Sequence, residues 1–516
     1  MAILALSVIA VRILFPLPSL DGRTISATVA DTASTPLGQA VAADAATHPG
    51  RSGIRAVTSG EDAFAARVAL ARSATRSLDL QYYIWKRDLS GTLLFDELRA
   101  AADRGVRVRL LLDDNVTAGL DPMLAALDAH PNIEIRLFNP FIIRKFRFLG
   151  YLTDFPRLNR RMHNKSFTAD NQATIVGGRN IGDEYMGAGE GLLFADLDVL
   201  AVGQVVGEVS RQFDRYWASR SAYPAGRILG AAGPTELGRL AAEAARIRER
   251  PDGERYVEAI RKSALLGQLR QRTVPLEWAE TRLVADDPAK GLGLAATENL
   301  LFPRLVEIVG KPGSSLSLVS SYFVPTEAGT ETFSLMARRG VNVSILTNAL
   351  EATDVPVVHA GYVPWRQAML KAGVRLYELR RTGRGQHPNR RGIRRSGSGD
   401  GTAIGGSATA LHAKTFAIDG KYIFVGSFNF DPRSAKLNTE LGLVMQSAAL
   451  SRPIDEAFTG GIPSLAYEVK LDEDGGLYWL ERRGKRVIRH DTEPGTTWFT
   501  RATIRVLSLL PIDWLL

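Results

Sequence analysis

Two segments of the chain carry the same chemistry-bearing residues at the same spacing. Each has a His, a Lys two residues later, an Asp seven later, a Gly fourteen later and an Asn seventeen later. The sets are His163, Lys165, Asp170, Gly177 and Asn180, and His412, Lys414, Asp419, Gly426 and Asn429. One match to so short a pattern has little weight, whereas two matches at identical offsets predict a duplicated site.

The two sets supply what is needed to cleave a phosphodiester without a metal ion. In an extended run, a His and a Lys two residues apart point to the same face. One imidazole would attack phosphorus and form a phosphohistidine, while the other protonates the leaving alkoxide and then deprotonates the incoming hydroxyl. Ammonium and amide groups would hold the non-bridging oxygens. The predicted catalytic residues are His163, Lys165, Asp170, His412, Lys414 and Asp419, and the predicted phosphate ligands are Asn180, Asn429 and Ser427.

Four of these residues also have a purely structural interpretation. Asp419 is followed by Gly between two apolar runs, which is a strong hairpin signal, and Asp170 occupies the same place in the first copy. Each Asp is therefore also a candidate turn residue. Asn180 and Asn429 lie near predicted helix starts, where they would be either N-caps or donors to phosphate oxygens.

An attacking imidazole needs an acceptor on its other ring nitrogen. Glu440 follows the second His, and alignment of the two copies places Asp196 opposite it. We predict that these two acids orient the imidazoles; the alternative is that they are ordinary exposed acids. The remaining histidines have no acidic or His partner at ligand spacing, so neither a metal site nor a cofactor is predicted: His48, His130, His359, His387 and His490.

Composition restricts the class of protein and its partners. The 516 residues suffice for two domains or one duplicated unit, and the absence of Cys excludes disulfides, Cys-bound zinc and thiol nucleophiles. The net charge of +9 favours anionic partners, either nucleic acid or an anionic membrane surface. Of two basic runs, residues 144–165 lead into the first motif and predict an anion-attracting rim. Residues 375–395 are either a similar rim or a solvated loop.

Both ends of the chain are apolar. Residues 1–16 have Arg12 as their only charge, are short for a spanning helix and lack the basic start of a secretory signal. They are interpreted as a signal-anchor, a degraded signal peptide or an interfacial helix, and membrane attachment is favoured. Residues 498–516 mix Trp, Leu and Ile with two Arg, which suits either an interfacial helix or a closing helix packed on the core.

A strand–helix–strand order is repeated in the two halves of the chain. Strand-like runs at residues 77–83, 105–112 and 133–138 have counterparts at 315–322, 340–346 and 374–379, with apolar helical patterns between the first two of each set. This order predicts an α/β fold of two similar halves. Each half would be a mostly parallel sheet flanked by helices.

Changes of pattern predict five regions. They are an apolar segment and linker (1–55), a first half (56–232), a helical connector (233–290), a second half (291–460) and a C-terminal extension with a hairpin or a small meander (461–516). Residues 383–408 are rich in Gly, Arg and Ser and predict a long loop before the second motif.

The doubled motif resembles the HKD motif of the phospholipase D superfamily, over roughly residues 60–450. The runs that begin at Asp431 and Leu437 are similar to bacterial cardiolipin synthases, particularly the C type. The resemblance implies that the two halves are related by pseudo-twofold symmetry and that their motifs meet in one shared active site. It also implies that His163 is the nucleophile and His412 the acid and base. Gly178 departs from the pattern, because the second copy and many relatives have Ser there, so one hydroxyl near the site is missing.

The resemblance, the basic rim and the apolar ends together imply a function. It is a membrane-associated phosphatidyltransferase, at the bacterial inner membrane, that makes cardiolipin from phosphatidylglycerol and a second phospholipid, with phosphatidylethanolamine as one candidate. The alternative is a phospholipase D that hydrolyses phospholipids to phosphatidic acid. The basic balance also suggests a phosphodiesterase acting on nucleic acid, but the apolar ends disfavour it and no nucleic-acid partner is expected. Two intact motifs disfavour a non-catalytic scaffold.

Overall fold

The computed structural model describes residues 8, 11–188, 193–233, 235–381 and 409–510. The strands of the first half are β1 (Ser52–Val57), β2 (Ser77–Tyr82), β3 (Arg107–Asp113), β4 (Ile133–Phe138), β5 (Ser166–Ala169), β6 (Ala173–Gly177), β7 (Leu193–Ala195), β8 (Asp198–Gly203) and β9 (Ala222–Pro224). The helices up to the connector are α1 (Pro36–Thr47), α2 (Gly60–Ser73), α3 (Leu89–Asp103), α4 (Asp121–Asp128), α5 (Arg147–Leu158), α6 (Asp183–Met186) and α7 (Gln204–Trp217).

The remainder of the chain repeats this order after three connecting helices. The strands are β10 (Glu277–Ala285), β11 (Ser315–Ser320), β12 (Asn342–Asn348), β13 (Arg375–Leu379), β14 (Thr409–Leu411), β15 (Lys414–Ile418), β16 (Tyr422–Gly426), β17 (Leu441–Gln446), β18 (Ala466–Leu471), β19 (Leu477–Arg483) and β20 (Arg486–His490). The helices are α8 (Glu236–Glu249), α9 (Pro251–Lys262), α10 (Ala264–Gln271), α11 (Leu301–Val309), α12 (Thr326–Arg338), α13 (Pro356–Tyr362), α14 (Arg366–Lys371), α15 (Pro432–Lys436), α16 (Ala448–Ala457), α17 (Ile462–Leu465) and α18 (Trp498–Leu507). The predicted repeat of strands and helices is thereby confirmed.

The strand order is the same in the two halves. In the first sheet the neighbours run β1-β8-β6-β5-β2-β3-β4-β9, and in the second β10-β17-β16-β15-β11-β12-β13-β18, continued by β19 and β20. The equivalent edge strands β1 and β10 pair antiparallel with each other, which joins the two sheets into one. The α/β fold of two similar halves is confirmed.

The expectation of mostly parallel sheets needs a correction. Within these sheets only β2-β3-β4 and β11-β12-β13 run parallel, and the other pairings of the described strands are antiparallel. The physical reason is the hairpin in each motif. A two-residue turn returns the chain antiparallel, whereas a parallel neighbour needs a long crossover.

Three apolar cores hold the halves and their junction. Each half has its own core, formed by the strand faces and the helices packed on them. A third cluster lies between the halves, where Val176 and Val199 of the first sheet meet Val425 and Leu443 of the second. The strands that carry the two motifs therefore meet across a dry, packed interface rather than across solvent.

The second sheet extends beyond the range predicted for the second half, at both ends. β10 lies within the range predicted as the connector, yet it pairs with β17 of the second sheet just as β1 pairs with β8. The predicted meander of the C-terminal extension is present as β18–β20, and β18 pairs with β13 of the second sheet. The connecting helices α8–α10 bury Leu240 and Ile260 in the core of the first half.

The Asp of each motif holds a hairpin turn. Asp170 and Asp419 both have a left-handed backbone, with φ of 49° and 55°. The Asp170 carboxylate accepts the backbone N–H groups of Thr75, Arg76 and Ser77 at 3.0, 2.8 and 2.9 Å. At roughly 3.3 Å per residue, Asp170 lies about 16 Å along the chain from Lys165.

Asp419 makes the equivalent contacts in the second half. Its carboxylate accepts the N–H groups of Gly313, Ser314 and Ser315 at 3.0, 2.7 and 2.9 Å. Both carboxylates are occupied at the turn end of the hairpin, so these contacts do not support the prediction that Asp170 and Asp419 are catalytic. Their alternative interpretation as turn residues is confirmed.

The described part of the chain contains no helix that is both long enough and apolar enough to cross a bilayer. Most of the N-terminal apolar segment, the second basic run beyond residue 381, the loop at 383–408 and the last six residues lie outside the described residues. The C-terminal helix α18 packs on the second half, as its interpretation as a closing helix predicts, and leaves a large apolar side chain exposed. It buries Ile504 against Leu350 and Ala360, while Trp498 is 75% exposed.

Replacing the turn aspartates tests their structural role. Asp170→Ala should lower the free energy of unfolding by roughly 3 kcal/mol, because three N–H groups lose the buried charged acceptor that they share. Asp419→Ala should cost only about 1 kcal/mol, since Asp419 is exposed and water replaces it. Denaturant unfolding of both variants measures the difference. Equal and negligible losses would show that the turns do not depend on these carboxylates.

Candidate active site

The two motif histidines are each held by a carboxylate of the other half. His163 Nδ1 lies 2.9 Å from Glu440 Oε2, and His412 Nδ1 lies 2.6 Å from Asp196 Oδ2. All four side chains are buried. Asp196 and Glu440 are thus not exposed acids, and the pairing crosses between the halves. With Nδ1 directed at a carboxylate, Nε2 of each ring is the nitrogen left for chemistry.

Backbone pairing between the halves sets this crossed arrangement. His163 N donates to Thr439 O at 2.8 Å, so the residue before Glu440 lies beside the first motif. His412 N donates to Ala195 O at 2.8 Å, immediately before Asp196, and β14 pairs in parallel with β7. Each His is therefore fixed through its main chain to the segment that carries its carboxylate.

Two residues that sequence reasoning missed hold the chain just before each His. Asp113 Oδ2 accepts the N–H of Met162 at 2.7 Å, and Asn348 Oδ1 accepts the N–H of Leu411 at 2.9 Å. Asp113 and Asn348 end the central parallel strands β3 and β12. Polar residues at the carboxyl ends of parallel strands were a usable signal, because ligand sites of α/β sheets lie there.

The two lysines lie in the interior next to the imidazoles. Lys165 Nζ donates to the backbone oxygen of its own His163 and lies 5.4 Å from the centre of the Tyr83 ring. Lys414 Nζ donates to Ser321 Oγ at 3.0 Å and to the backbone oxygen of His412. Both side chains are buried and poorly hydrated, and burial lowers the pKa of Lys165 well below its usual value. An arriving anion would favour the charged form of each lysine.

Each motif asparagine uses its side-chain oxygen as a hydrogen-bond acceptor within the protein. Asn180 Oδ1 accepts the N–H of Ile84 at 3.2 Å, and Asn429 Oδ1 accepts Ser321 Oγ at 3.0 Å. The Nδ2 of Asn180 is buried and has no hydrogen-bond partner among the described residues. The alternative interpretation as N-caps is wrong, because Gly182 and Asp431 occupy those positions.

Ser427 contacts a carboxylate in the structure. Its hydroxyl donates to Glu440 Oε2, and its oxygen accepts the N–H of Leu441 at 3.1 Å. Ser427 therefore positions Glu440 in this structure, and its contact with phosphate stays a prediction. At the equivalent Gly178, a Cβ would overlap Asp196 Oδ1, so Asp196 takes the space that a Ser side chain would need.

Burial controls the protonation of the two imidazoles. Burial, with the charges of Lys165 and Lys414, lowers the pKa of His163 well below its usual value. Burial and Lys414 lower the pKa of His412 to about 4, although Asp196 opposes the shift. Both imidazoles are therefore neutral at pH 7 in the free protein, which leaves a lone pair on Nε2.

The ionisable groups that contact the two histidines have different pKa shifts. Burial raises the pKa of Glu440 to about 7 and lowers that of Lys414 to about 8. At Asp196 burial is outweighed by His412 and Lys414, which hold the pKa of its carboxyl below the usual range. The His412–Asp196 pair consequently has a fixed negative charge, whereas Glu440 changes charge near neutrality.

Aromatic rings wall the two imidazoles. The Tyr83 ring lies edge-on to His163 with the centroids 5.0 Å apart, and Tyr185 is in the same relation to His412 at 5.1 Å. Phe194 also contacts His412. No periodicity marked these residues in advance. Among the described residues, no three His, Asp or Glu side chains converge as metal ligands do, and His387 lies outside them.

Comparisons with known proteins agree with this geometry. A family model described as "Cardiolipin synthase, PLD-like domain" matches residues 68–217 and 305–460, which are more than half of the chain. Cardiolipin synthase C of Escherichia coli (strain K12) is 50% identical over 469 residues, covering 91% of this chain and 97% of that protein. Cardiolipin synthase of Staphylococcus aureus (strain N315) is 23% identical over 407 residues, covering 78% and 66%.

The fold comparison covers nearly the whole chain. The crystal structure of phosphatidylserine synthase from Haemophilus influenzae Rd KW20 superposes with a TM-score of 0.53 at 14% identity, covering 90% of this chain and 95% of that one. The phospholipase D resemblance is thus confirmed. The chain belongs to the cardiolipin synthase family of phospholipase D-like proteins.

The packing at Gly178 yields a testable prediction. Gly178→Ser should slow phospholipid turnover at least about tenfold, because the added atoms displace Asp196 and with it His412. Ser427→Gly should slow it by less, roughly threefold to tenfold, since only one hydrogen bond to Glu440 is lost. Gly238→Ser is the matched control, because a Cβ at Gly238 meets open space. Initial rates of phospholipid turnover by the folded variants test this prediction. Full activity of Gly178→Ser would contradict the steric explanation.

Proposed function

We propose that this protein is a phosphatidyltransferase that makes cardiolipin from phosphatidylglycerol and a second phospholipid through a phosphohistidine on His163. The observation that carries the proposal is the crossed pair of buried imidazoles. Each has Nδ1 held by a carboxylate and Nε2 left for chemistry beside a buried Lys. The similarity to cardiolipin synthases over nearly the whole chain supports the choice of substrate.

In the first step, His163 Nε2 attacks the phosphorus of phosphatidylglycerol. A nitrogen–phosphorus bond forms, the bond from phosphorus to the glycerol headgroup breaks, and protonated His412 gives its Nε2 proton to the leaving alkoxide. The free protein holds His412 neutral, but an arriving phosphate anion opposes the charges of the lysines. The pKa of His412 then rises, because the neighbouring charge that lowered it is neutralised.

In the second step, neutral His412 removes the proton from a primary hydroxyl of the second lipid. The resulting oxygen attacks phosphorus, the nitrogen–phosphorus bond breaks, and His163 is regenerated while cardiolipin leaves. Lys165, Lys414 and the two Asn amides hold the non-bridging oxygens in both steps. Glu440 and Asp196 stabilise the positive charge that develops on the rings.

The proposal includes a place and partners for the reaction. Phospholipids are the substrates, and phosphatidylglycerol supplies the hydroxyl that attacks in the second step. Phosphatidylethanolamine, a candidate for the other phospholipid, has no free hydroxyl, so it would take the place of phosphatidylglycerol in the first step and release ethanolamine. A membrane surface, in particular the bacterial inner membrane, would supply both. Hydrolysis by water is the alternative outcome of the second step. A phosphodiesterase acting on nucleic acid is disfavoured by the similarity to cardiolipin synthases.

The products of the reaction test the proposal directly. Purified protein given phosphatidylglycerol, with and without phosphatidylethanolamine, should produce cardiolipin that mass spectrometry detects. His163→Ala and His412→Ala should each lower its formation by at least about 10³-fold, since each step needs both imidazoles. Phosphatidic acid as the sole product would establish a hydrolase. Unchanged turnover in both variants would show that the mechanism is wrong.

The shifted pKa values predict how kcat/KM depends on pH. As the pH rises through about 7, Glu440 loses its proton and gains the charge that stabilises His163. As it rises through about 8, Lys414 loses its proton and no longer neutralises the phosphate, so kcat/KM should fall. Because kcat/KM reports on the free enzyme, where His412 also titrates, the contribution of Glu440 is measured as the ratio of kcat/KM for the unmodified protein to that for Glu440→Gln. This ratio should rise as the pH passes through about 7, and a ratio that does not change with pH contradicts the assignment.

A further inference from the structure

Helix α5 has large apolar side chains on the side that faces solvent. Phe146 precedes the helix and is 58% exposed, and Phe148 and Leu152, four residues apart on one face, are 62% and 69% exposed. An ordinary surface helix has the opposite pattern, with its apolar stripe turned to the core. A cluster of exposed aromatic and aliphatic side chains marks an interaction surface.

The inner side of α5 leads to the active site. Tyr151 OH donates to Asn115 Oδ1 at 2.6 Å, and Asn115 Nδ2 donates to Tyr83 OH at 3.2 Å. Tyr83 is the ring that packs against His163. The contacts from Tyr151 through Asn115 and Tyr83 therefore connect helix α5 to His163. The exposed face of α5 is the outer side of the wall that encloses the nucleophile.

The N-terminal segment lies against the same helix. Arg12 Nε donates to Thr153 O at 2.8 Å, and its guanidinium pairs with Asp154 at 3.4 Å. Next to Arg12, Ile13 and Leu14 are 71% and 72% exposed. Arg12, the only charged side chain in the first fifteen residues, is thus paired within the protein. The exposed side chains next to it, Ile13 and Leu14, are apolar.

We propose that the outer face of α5, together with Ile13 and Leu14, is the surface that inserts into the lipid bilayer interface, so that phospholipid reaches His163 from this side. The inference rests on the proposed function for its substrate. A lipid surface is chosen over a protein partner for two reasons. The ten residues that lead to this face, MAILALSVIA, have no charge. Lys145 is exposed next to Phe146, so its ammonium group would lie at the level of the lipid phosphates when Phe146 is inserted in a bilayer.

Vesicle binding by the full-length protein tests the surface. The double variant Phe148→Ser/Leu152→Ser should bind vesicles of phosphatidylglycerol and phosphatidylcholine at least about tenfold more weakly than the unmodified protein, since two large apolar anchors are lost. Both side chains are mostly exposed, so thermal unfolding should hardly change. The matched control Leu335→Ser/Val487→Ser removes two other exposed apolar side chains and should bind like the unmodified protein.

A soluble substrate separates this inference from the proposed function. Turnover of short-chain phosphatidylglycerol below its aggregation concentration should stay within about twofold in the α5 variant, because α5 supplies no reacting group. Turnover on vesicles should fall with binding. Undiminished vesicle binding by the α5 variant overturns the proposal, and so does an equal loss in the control variant. If the unmodified protein turns over no lipid at all, the proposed function fails, while weaker binding by the α5 variant still supports the surface.

Discussion

The structure depends on two buried carboxylates that cross from one half to the other. The motifs bring two lysines and two imidazoles into an interior where uncompensated positive charge is costly. Asp196 and Glu440 supply the opposing charge, each to the half that it does not belong to. Removing either carboxylate while the halves stay packed would leave buried ionisable groups without a partner, which costs far more than the loss of a surface ion pair. The chemistry of the site and the union of the halves therefore have the same physical basis.

The duplication is not symmetric at these carboxylates. Asp196 stays ionised against His412 and fills the space beside Gly178, whereas the longer Glu440 shares its charge between His163 and the hydroxyl of Ser427. A permanently charged partner suits an imidazole that must accept and release a proton in each cycle. A partner that titrates near neutrality suits a nucleophile that becomes cationic only while it is bonded to phosphorus. The two sides thus match the two different roles proposed for the histidines.

The features that could be predicted from the sequence are those whose pattern recurs over a few neighbouring residues. The strands, the hairpins and the motif residues follow from spacings of a few positions, and the halves follow from the recurrence of those spacings. The crossing of Glu440 to His163 joins residues 277 positions apart, and that of Asp196 to His412 joins residues 216 apart. No periodicity encodes such a contact. The sheets were expected to be mostly parallel because the strand–helix–strand pattern was weighted above the hairpins, which add antiparallel strands.

The fixed spacing of the motif has a mechanical explanation in the hairpin. Asp170 N donates to Ser77 O while its carboxylate binds the first N–H groups of β2, and Asp419 repeats this at the start of β11. These contacts lock β5 and β15 in register with their neighbours, Ala169 against Leu78 and Ile418 against Leu316. A slip of one residue would turn every side chain of the strand to its other face, Lys165 and Lys414 included. The Asp of each motif therefore governs the chemistry from the far end of the strand, by deciding where the Lys and the His point.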